Sequence, residues 1–205
     1  MKRIVTGFAA TCLLALAAAG AAEASDKANA DKATAAPASM AAVSAETPAA
    51  KAAMAAKADY LMLYDGVAKK IRDLGAAIPE DKYAWRPTEG VRSVGEVLNH
   101  LSGTSYLFGK VAGAEVPKDA PADMEKGPDA KTKAEILAKL SEAIAYGRSI
   151  AEAVTPEQLE QTVDFFGNKM SVRAVYMADY GHMSEHLGQL IAYAREVGVK
   201  PPWSN

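Results

Sequence analysis

Residues 57–205 are predicted to form an all-α domain, a four-helix bundle. Apolar residues recur at spacings of three and four along four long segments, the periodicity of one helix face. Glycine and proline residues separate these segments, and serine or threonine stands at the start of three of them. The predicted helices span residues 57–74, 93–113, 132–154 and 171–197. Four amphipathic helices of this length are typical of a bundle.

Each helix follows from its own local pattern. The first has apolar residues four or three apart and ends near Gly75. The second begins with Ser93 and Glu96, which form a capping box. The third begins at Thr132, and Ser171 caps the fourth. A convincing strand pattern is absent from the sequence, although residues 161–166 could form a short extended segment.

The N-terminal part of the chain is predicted to be an export signal followed by a tether. Lys2 and Arg3 precede an apolar stretch, and Ala22–Glu23–Ala24 offers a small-x-small cleavage site, so residues 1–24 resemble a secretory signal peptide. The apolar stretch is too short to span a membrane. Residues 25–56 are rich in alanine and lack aromatic residues, which predicts a disordered tether. We therefore expect a periplasmic or extracellular protein, cleaved near Ala24.

Composition excludes several function classes. The formal net charge is −2, which gives no electrostatic reason to bind nucleic acid or an anionic membrane. A single cysteine, Cys12, excludes intramolecular disulfides and cysteine-based zinc sites. The mature chain is expected to have no stable membrane span. The sequence allows a small-molecule substrate, and it also allows a homodimer.

The three histidines suggest a metal site. His182 and His186 are four residues apart on the fourth helix, so their rings lie about 40° apart on one face and about 6 Å apart along the axis. Such a pair can chelate one divalent ion. His100 lies in the second helix, close to Gly95 and Gly103, which would allow close helix approach. Three imidazoles with an open fourth position are the ligand set of a catalytic metal site.

The histidines have other possible interpretations. A lone histidine in a bundle is more often a satisfied core or surface group than a ligand. Residues 182–186 match the H-x-x-E-H pattern of inverted zinc peptidases, but that class needs another acidic ligand well downstream. The Glu-x-x-His pair of di-iron bundles and the Cys-x-x-Cys-His motif of c-type haem are absent from the sequence.

Two polar residues flank the histidines on the fourth helix. Asp179 precedes His182 by one turn and could accept a hydrogen bond from its second ring nitrogen; the alternative is a solvated carboxylate at the bundle edge. Gln189 could hydrogen-bond a metal-bound water or a substrate. Catalytic residues beyond these candidates are unknown from the sequence.

Several short motifs together resemble the DinB/YfiT-like superfamily, over about residues 57–205. They are Trp85–Arg86–Pro87, the segment from Ser93 to Leu101, His182-x-x-x-His186 with the following Leu187 to Leu190, and Gly198 to Trp203. The resemblance implies a four-helix bundle with a variant of up-and-down topology. It also implies one divalent metal ion held by His100, His182 and His186. Characterised relatives include thiol-dependent S-transferases and a thiol-dependent isomerase.

The expected function is therefore that of an exported metal-dependent hydrolase or thiol transferase. The alternative is a non-catalytic metal-binding or interaction protein of the envelope. Three imidazoles suit Zn, Ni, Fe or Mn, so the sequence leaves the metal open.

Overall fold

The computed structural model describes residues 47–204. The predicted signal peptide and residues 25–46 of the predicted tether lie outside this range. The described chain forms α1 (Pro48–Ala77), a 3-10 turn (Glu80–Lys82), α2 (Val94–Val111), α3 (Lys133–Ala153), α4 (Pro156–Leu159), β1 (Thr162–Phe165), β2 (Asn168–Ser171) and α5 (Val172–Glu196). The four long helices confirm the predicted four-helix bundle. Within residues 47–204, every helix is too short or too polar to cross a membrane.

The first helix begins earlier than the sequence patterns predicted. α1 starts at Pro48, so the tether does not extend to residue 56. The side chain of Thr47 accepts a hydrogen bond from the backbone N–H of Ala50 at 3.1 Å, and Pro48 suits the first helical position. Ala50 and Ala53 are buried. Alanine is the best helix former, and a capped alanine run can therefore be helical without large apolar residues.

The order of the helices around the bundle decides which helices face each other. α1 and α2 each pack mainly against α3 and α5. Consecutive helices α1 and α2 therefore lie across a diagonal of the bundle, and so do α3 and α5. This arrangement is the variant of up-and-down topology that the sequence resemblance implied. Its consequence is that α2, which carries His100, lies beside α5, which carries His182 and His186.

The core fills the space between these helices with aliphatic and tyrosine side chains. Among the largest fully buried side chains are Tyr64, Ile71, Leu74, Leu98, Leu140 and Leu190. Each aliphatic side chain buried in this way stabilises the fold by roughly 1.5–3 kcal/mol. The Tyr64 hydroxyl donates a hydrogen bond to the carbonyl of Ile144 at 3.1 Å, which satisfies a polar group inside the core.

The loop between α2 and α3 crosses α2 at unusually short distance. A Cβ on Gly103 would lie 2.2 Å from the carbonyl oxygen of Met124, and a Cβ on Gly127 would lie 1.8 Å from that of Asn99. Gly127 also has a φ of +86°, which side-chain-bearing residues rarely adopt. Gly103 was expected to admit a neighbouring helix; the structure shows that it admits this loop instead.

A two-stranded hairpin connects α4 to α5. The sequence predicted only a short extended segment at residues 161–166, whereas β1 and β2 pair antiparallel from Thr162 with Ser171 to Phe165 with Asn168. Phe166 and Gly167 form the two-residue turn, with φ values of +51° and +85°. A two-residue turn with positive φ at both positions is the usual connection of a tight hairpin.

One carboxyl group is buried inside the bundle, between α5 and α1. Asp179 is 4% exposed, and its Oδ2 accepts a hydrogen bond from the Tyr60 hydroxyl at 2.9 Å. Burial raises the pKa of Asp179 from 3.8 to about 7, although the Tyr60 hydrogen bond acts in the opposite direction. Asp179 therefore stays protonated in the folded chain under conditions where the unfolded chain has ionised it.

This difference predicts a pH-dependent stability that Asp179→Asn removes. The stability that the protonated Asp179 contributes is fully present below pH 3.8 and is lost as the pH rises through about 7. The side-chain amide of the variant stays neutral, and its oxygen can still accept the Tyr60 hydrogen bond. The variant should therefore gain stability relative to wild type between pH 4 and pH 8, by about 1.4 kcal/mol for each unit of pKa difference.

Urea unfolding of both proteins at several pH values measures this gain. Asp59→Asn, a substitution at an exposed position of α1, serves as the control. A stability difference that does not change with pH would show that Asp179 ionises equally in the folded and unfolded chains.

Candidate metal centre

Three histidine side chains converge between α2 and α5. One ring nitrogen from each of His100, His182 and His186 lies within 4.8 Å of the other two. The Nε2 atoms of His100 and His182 are 3.0 Å apart. The ring centroids are separated by 5.0 Å (His100–His182), 4.7 Å (His100–His186) and 4.6 Å (His182–His186). The structure thus brings together all three residues that the sequence singled out.

The outer face of His100 is held by the loop between α2 and α3. His100 is 2% exposed, and its Nδ1–H donates a short hydrogen bond to the carbonyl oxygen of Glu125. The close approach at Gly103 and Gly127 brings this carbonyl to the ring. Because Nδ1 carries the proton, Nε2 directs a lone pair toward the other two histidines.

His186 is oriented by a chain of hydrogen bonds along its own helix. Its Nδ1–H donates to the Gln189 Oε1 at 2.8 Å, and the Gln189 amide donates to the Tyr193 hydroxyl at 2.8 Å. That hydroxyl donates to the carbonyl of Arg92 at 3.2 Å. The chain fixes the tautomer of His186 and leaves its Nε2 as a lone-pair donor.

His182 differs from the other two because its Nδ1 is buried without a hydrogen-bond partner. His100 Nε2 has no proton, so the 3.0 Å contact requires that His182 Nε2–H be the donor. A divalent ion held by the three Nε2 atoms would take the place of this shared proton, and His182 would then carry its own proton on Nδ1. Nothing but this proton has to move for all three rings to offer a lone pair to one ion.

The surroundings keep the imidazoles neutral. Burial lowers the pKa of His100 to about 4 and that of His182 to about 3, and it also lowers the pKa of His186. The positive charge of Arg92 adds to the depression at all three rings. Neutral imidazole is the form that binds metal ions, so near pH 7 no proton has to leave a cationic ring first.

The donor set is that of an open site. Over residues 47–204, no cysteine or carboxylate joins the three histidines as a further ligand. Three neutral nitrogen donors suit a divalent ion of the borderline class and leave a coordination position for water or substrate. A separate cavity of about 420 Å³ lies beside α2 and the following loop, and none of the histidines lines it.

Asp179 and Gln189 do not take the positions expected from the sequence. Asp179 neither contacts His182 nor lies at a solvated edge; it bonds Tyr60 inside the bundle. A separation of three residues rotates Asp179 about 60° from His182, which turns it toward α1. Gln189 does not face a metal-bound water, because both ends of its amide bond His186 and Tyr193.

Three further residues lie at the site that the sequence patterns did not predict there. Glu125 contributes a backbone carbonyl, for which side-chain identity gives no signal. Arg92 directly precedes the Ser93 cap, and its guanidinium pairs with the Glu125 carboxylate at 2.9 Å. The ring centroids of Phe108 and His182 are 5.5 Å apart. The position of Phe108 two turns after His100 on α2 is the one signal that could have placed it there.

Comparisons with known proteins agree with this architecture. The chain is 31% identical over 133 residues to the uncharacterised protein YjoA of Bacillus subtilis (strain 168), covering 62% of this chain and 80% of YjoA. The crystal structure of YjoA has a TM-score of 0.56 and 24% identity, covering 69% of this chain and 93% of that one.

Two further solved structures share the fold. A DinB-like protein from Bacillus cereus ATCC 10987 has a TM-score of 0.62 and 16% identity, covering 71% of this chain and 95% of that one. YfiT from Bacillus subtilis has a TM-score of 0.52 and 16% identity, covering 70% and 89%. YfiT is described as a probable metal-dependent hydrolase with an unusual four-helix bundle topology.

The sequence match to the family extends over almost all of the described structure. Residues 50–205 match the DinB family, and this range contains the three histidines and all of the four long helices except the first two residues of α1. This chain belongs to the DinB family.

Proposed function

We propose that this protein is a metal-dependent hydrolase whose single divalent ion is bound by His100, His182 and His186. The observation that carries the proposal is the convergence of three neutral imidazoles without a fourth protein ligand among the described residues. Such a donor set holds an ion and leaves a position for a reacting group.

The chain's own residues prepare this chemistry. The Glu125 carbonyl and the Gln189 amide fix the tautomers of His100 and His186, and burial keeps the rings uncharged. A divalent ion bound there would polarise a substrate carbonyl and lower the pKa of a bound water toward neutrality. The buried Phe108 ring lies beside His182 and gives the site an apolar neighbour on that side.

We prefer hydrolysis to two alternatives that would use the same three histidines. Thiol transfer would use the same ion to lower the pKa of a thiol, and the described residues contain no separate feature that favours it. A non-catalytic metal-binding protein would be expected to close its site with a fourth protein ligand. The description of YfiT as a probable metal-dependent hydrolase supports the same choice. Zn, Ni, Fe and Mn all suit the three imidazoles.

We also propose that the protein acts outside the cytoplasm, after removal of residues 1–24. The support is the basic start, the apolar stretch and the Ala22–Glu23–Ala24 site in the sequence. Mass spectrometry of the protein from its native host should find a mature chain that begins at Ser25. An intact N-terminus on the cellular protein would contradict export by cleavage.

The metal site is tested by His186→Ala. Loss of a hydrogen-bond partner of a metal ligand weakens metal binding by about 10–100-fold. Loss of one of the three ligands themselves should weaken metal binding by more than this. The bundle should stay folded because its core is independent of the histidines, and removal of a half-buried imidazole partly offsets the lost metal-binding stability. We expect near wild-type helical circular dichroism, no stoichiometric metal, and a Tm that no longer responds to added metal.

Glu185→Ala is the matched control, because Glu185 is exposed and directly precedes His186. It should keep both the metal and any hydrolysis found in a screen of chromogenic esters and amides, whereas His186→Ala should lose both. Unchanged metal content in His186→Ala would contradict the site. Global unfolding of that variant would indicate a structural metal and favour the non-catalytic alternative.

A further inference from the structure

The turn of the β1–β2 hairpin contains a residue that its backbone does not favour. Phe166 has a φ of +51°, and it is the one residue other than glycine with a positive φ in the described chain. Turns of this kind favour asparagine, aspartate or glycine, whose side chains tolerate the left-handed region. The Asp164 side chain stabilises the turn by accepting a hydrogen bond from the Gly167 N–H at 3.0 Å. Turn geometry therefore does not account for a phenylalanine here.

Packing does not account for it either. Phe166 is 69% exposed, the most exposed of the large apolar side chains in the described structure. Its ring contacts that of Phe165 edge to face, with centroids 4.8 Å apart. A large aromatic ring in solvent contributes little to folding, whereas it offers apolar surface to a ligand.

The ring of Phe166 is the outer end of a row of aromatic rings that reaches the histidines. Phe165 stacks on Phe108 at 5.7 Å, and Phe108 lies 5.5 Å from His182. Phe165 is half-buried and Phe108 is buried. The row therefore runs from an exposed hairpin turn to the edge of the proposed metal centre, with 4.8–5.7 Å between successive ring centroids.

We propose that Phe108, Phe165 and Phe166 form an aromatic subsite that binds an aryl group of the substrate while its reactive carbonyl faces the histidines. This inference rests on the proposed function, since it needs a metal ion at the three histidines. The substrate class is an ester or amide with an aryl group a few bonds from the carbonyl. Stacking on Phe165 and Phe166 provides the selectivity for that group.

The test compares two hydroxamates, which bind metal ions through the same group and differ in their tails. Acetohydroxamate has a methyl group, and 4-phenylbutyrohydroxamate has an aryl group on a flexible spacer. Calorimetry on the zinc-loaded full chain should find the aryl compound at least about tenfold tighter in wild type. In Phe166→Asn that preference should fall at least about fivefold, while the affinities for zinc and for acetohydroxamate stay unchanged.

Stability gives a second readout that a merely structural role would not produce. Asparagine suits the left-handed turn position better than phenylalanine, so Phe166→Asn should have an equal or higher Tm. Met62→Asn is the control, because Met62 is 67% exposed on α1, which carries none of the histidines. It should leave the hydroxamate preference unchanged.

The possible failures can be told apart. If the wild-type chain binds none of zinc, nickel, iron and manganese, the proposed function fails and the subsite falls with it. If zinc and acetohydroxamate bind but the aryl preference is absent, or is equal in Phe166→Asn and wild type, the subsite is wrong and the metal centre stands. A lower Tm in Phe166→Asn would show that Phe166 serves the fold, and it too would contradict the subsite.

Discussion

The packing of three uncharged imidazoles between α2 and α5, one buried and two half-buried, is the constraint on which the rest of the site depends. Burial lowers the pKa of all three rings, and the neighbouring histidines add to this effect at His100 and His182, because charged rings there would lack water and repel one another. The helix order makes this burial feasible, because it places α2 beside α5 rather than across a diagonal. An apolar core elsewhere in the bundle supplies the stability that such a polar cluster cannot supply itself.

The three rings differ in the hydrogen bonds that hold their outer nitrogens in place. His100 depends on the loop after α2, which reaches the helix only because Gly103 and Gly127 have no Cβ. His186 depends on the side chains of its own helix, through Gln189 and Tyr193. His182 has no outer partner among the described residues. The ring with the least support also contacts the aromatic row that leads to the hairpin, so the metal centre and the proposed subsite meet at His182.

Sequence periodicity predicted the four helices and the helix face that His182 and His186 share. It did not predict side-chain directions or contacts that depend on another part of the chain. The side-chain direction of Asp179 depends on Tyr60 from α1, which spacing within α5 does not show. The Glu125 carbonyl is a backbone group and has no side-chain signature. The start of α1 was placed too late because alanine-rich sequence is compatible with both a tether and a capped helix.

The coordination of bound zinc tests the central claim most directly. X-ray absorption spectroscopy of the zinc-loaded full chain should show three imidazole nitrogens at about 2.0–2.1 Å and one further light atom from solvent. This result would mean that the three histidines share one ion with an open position. Fewer than three imidazoles, or a fourth ligand from the protein, would contradict the account.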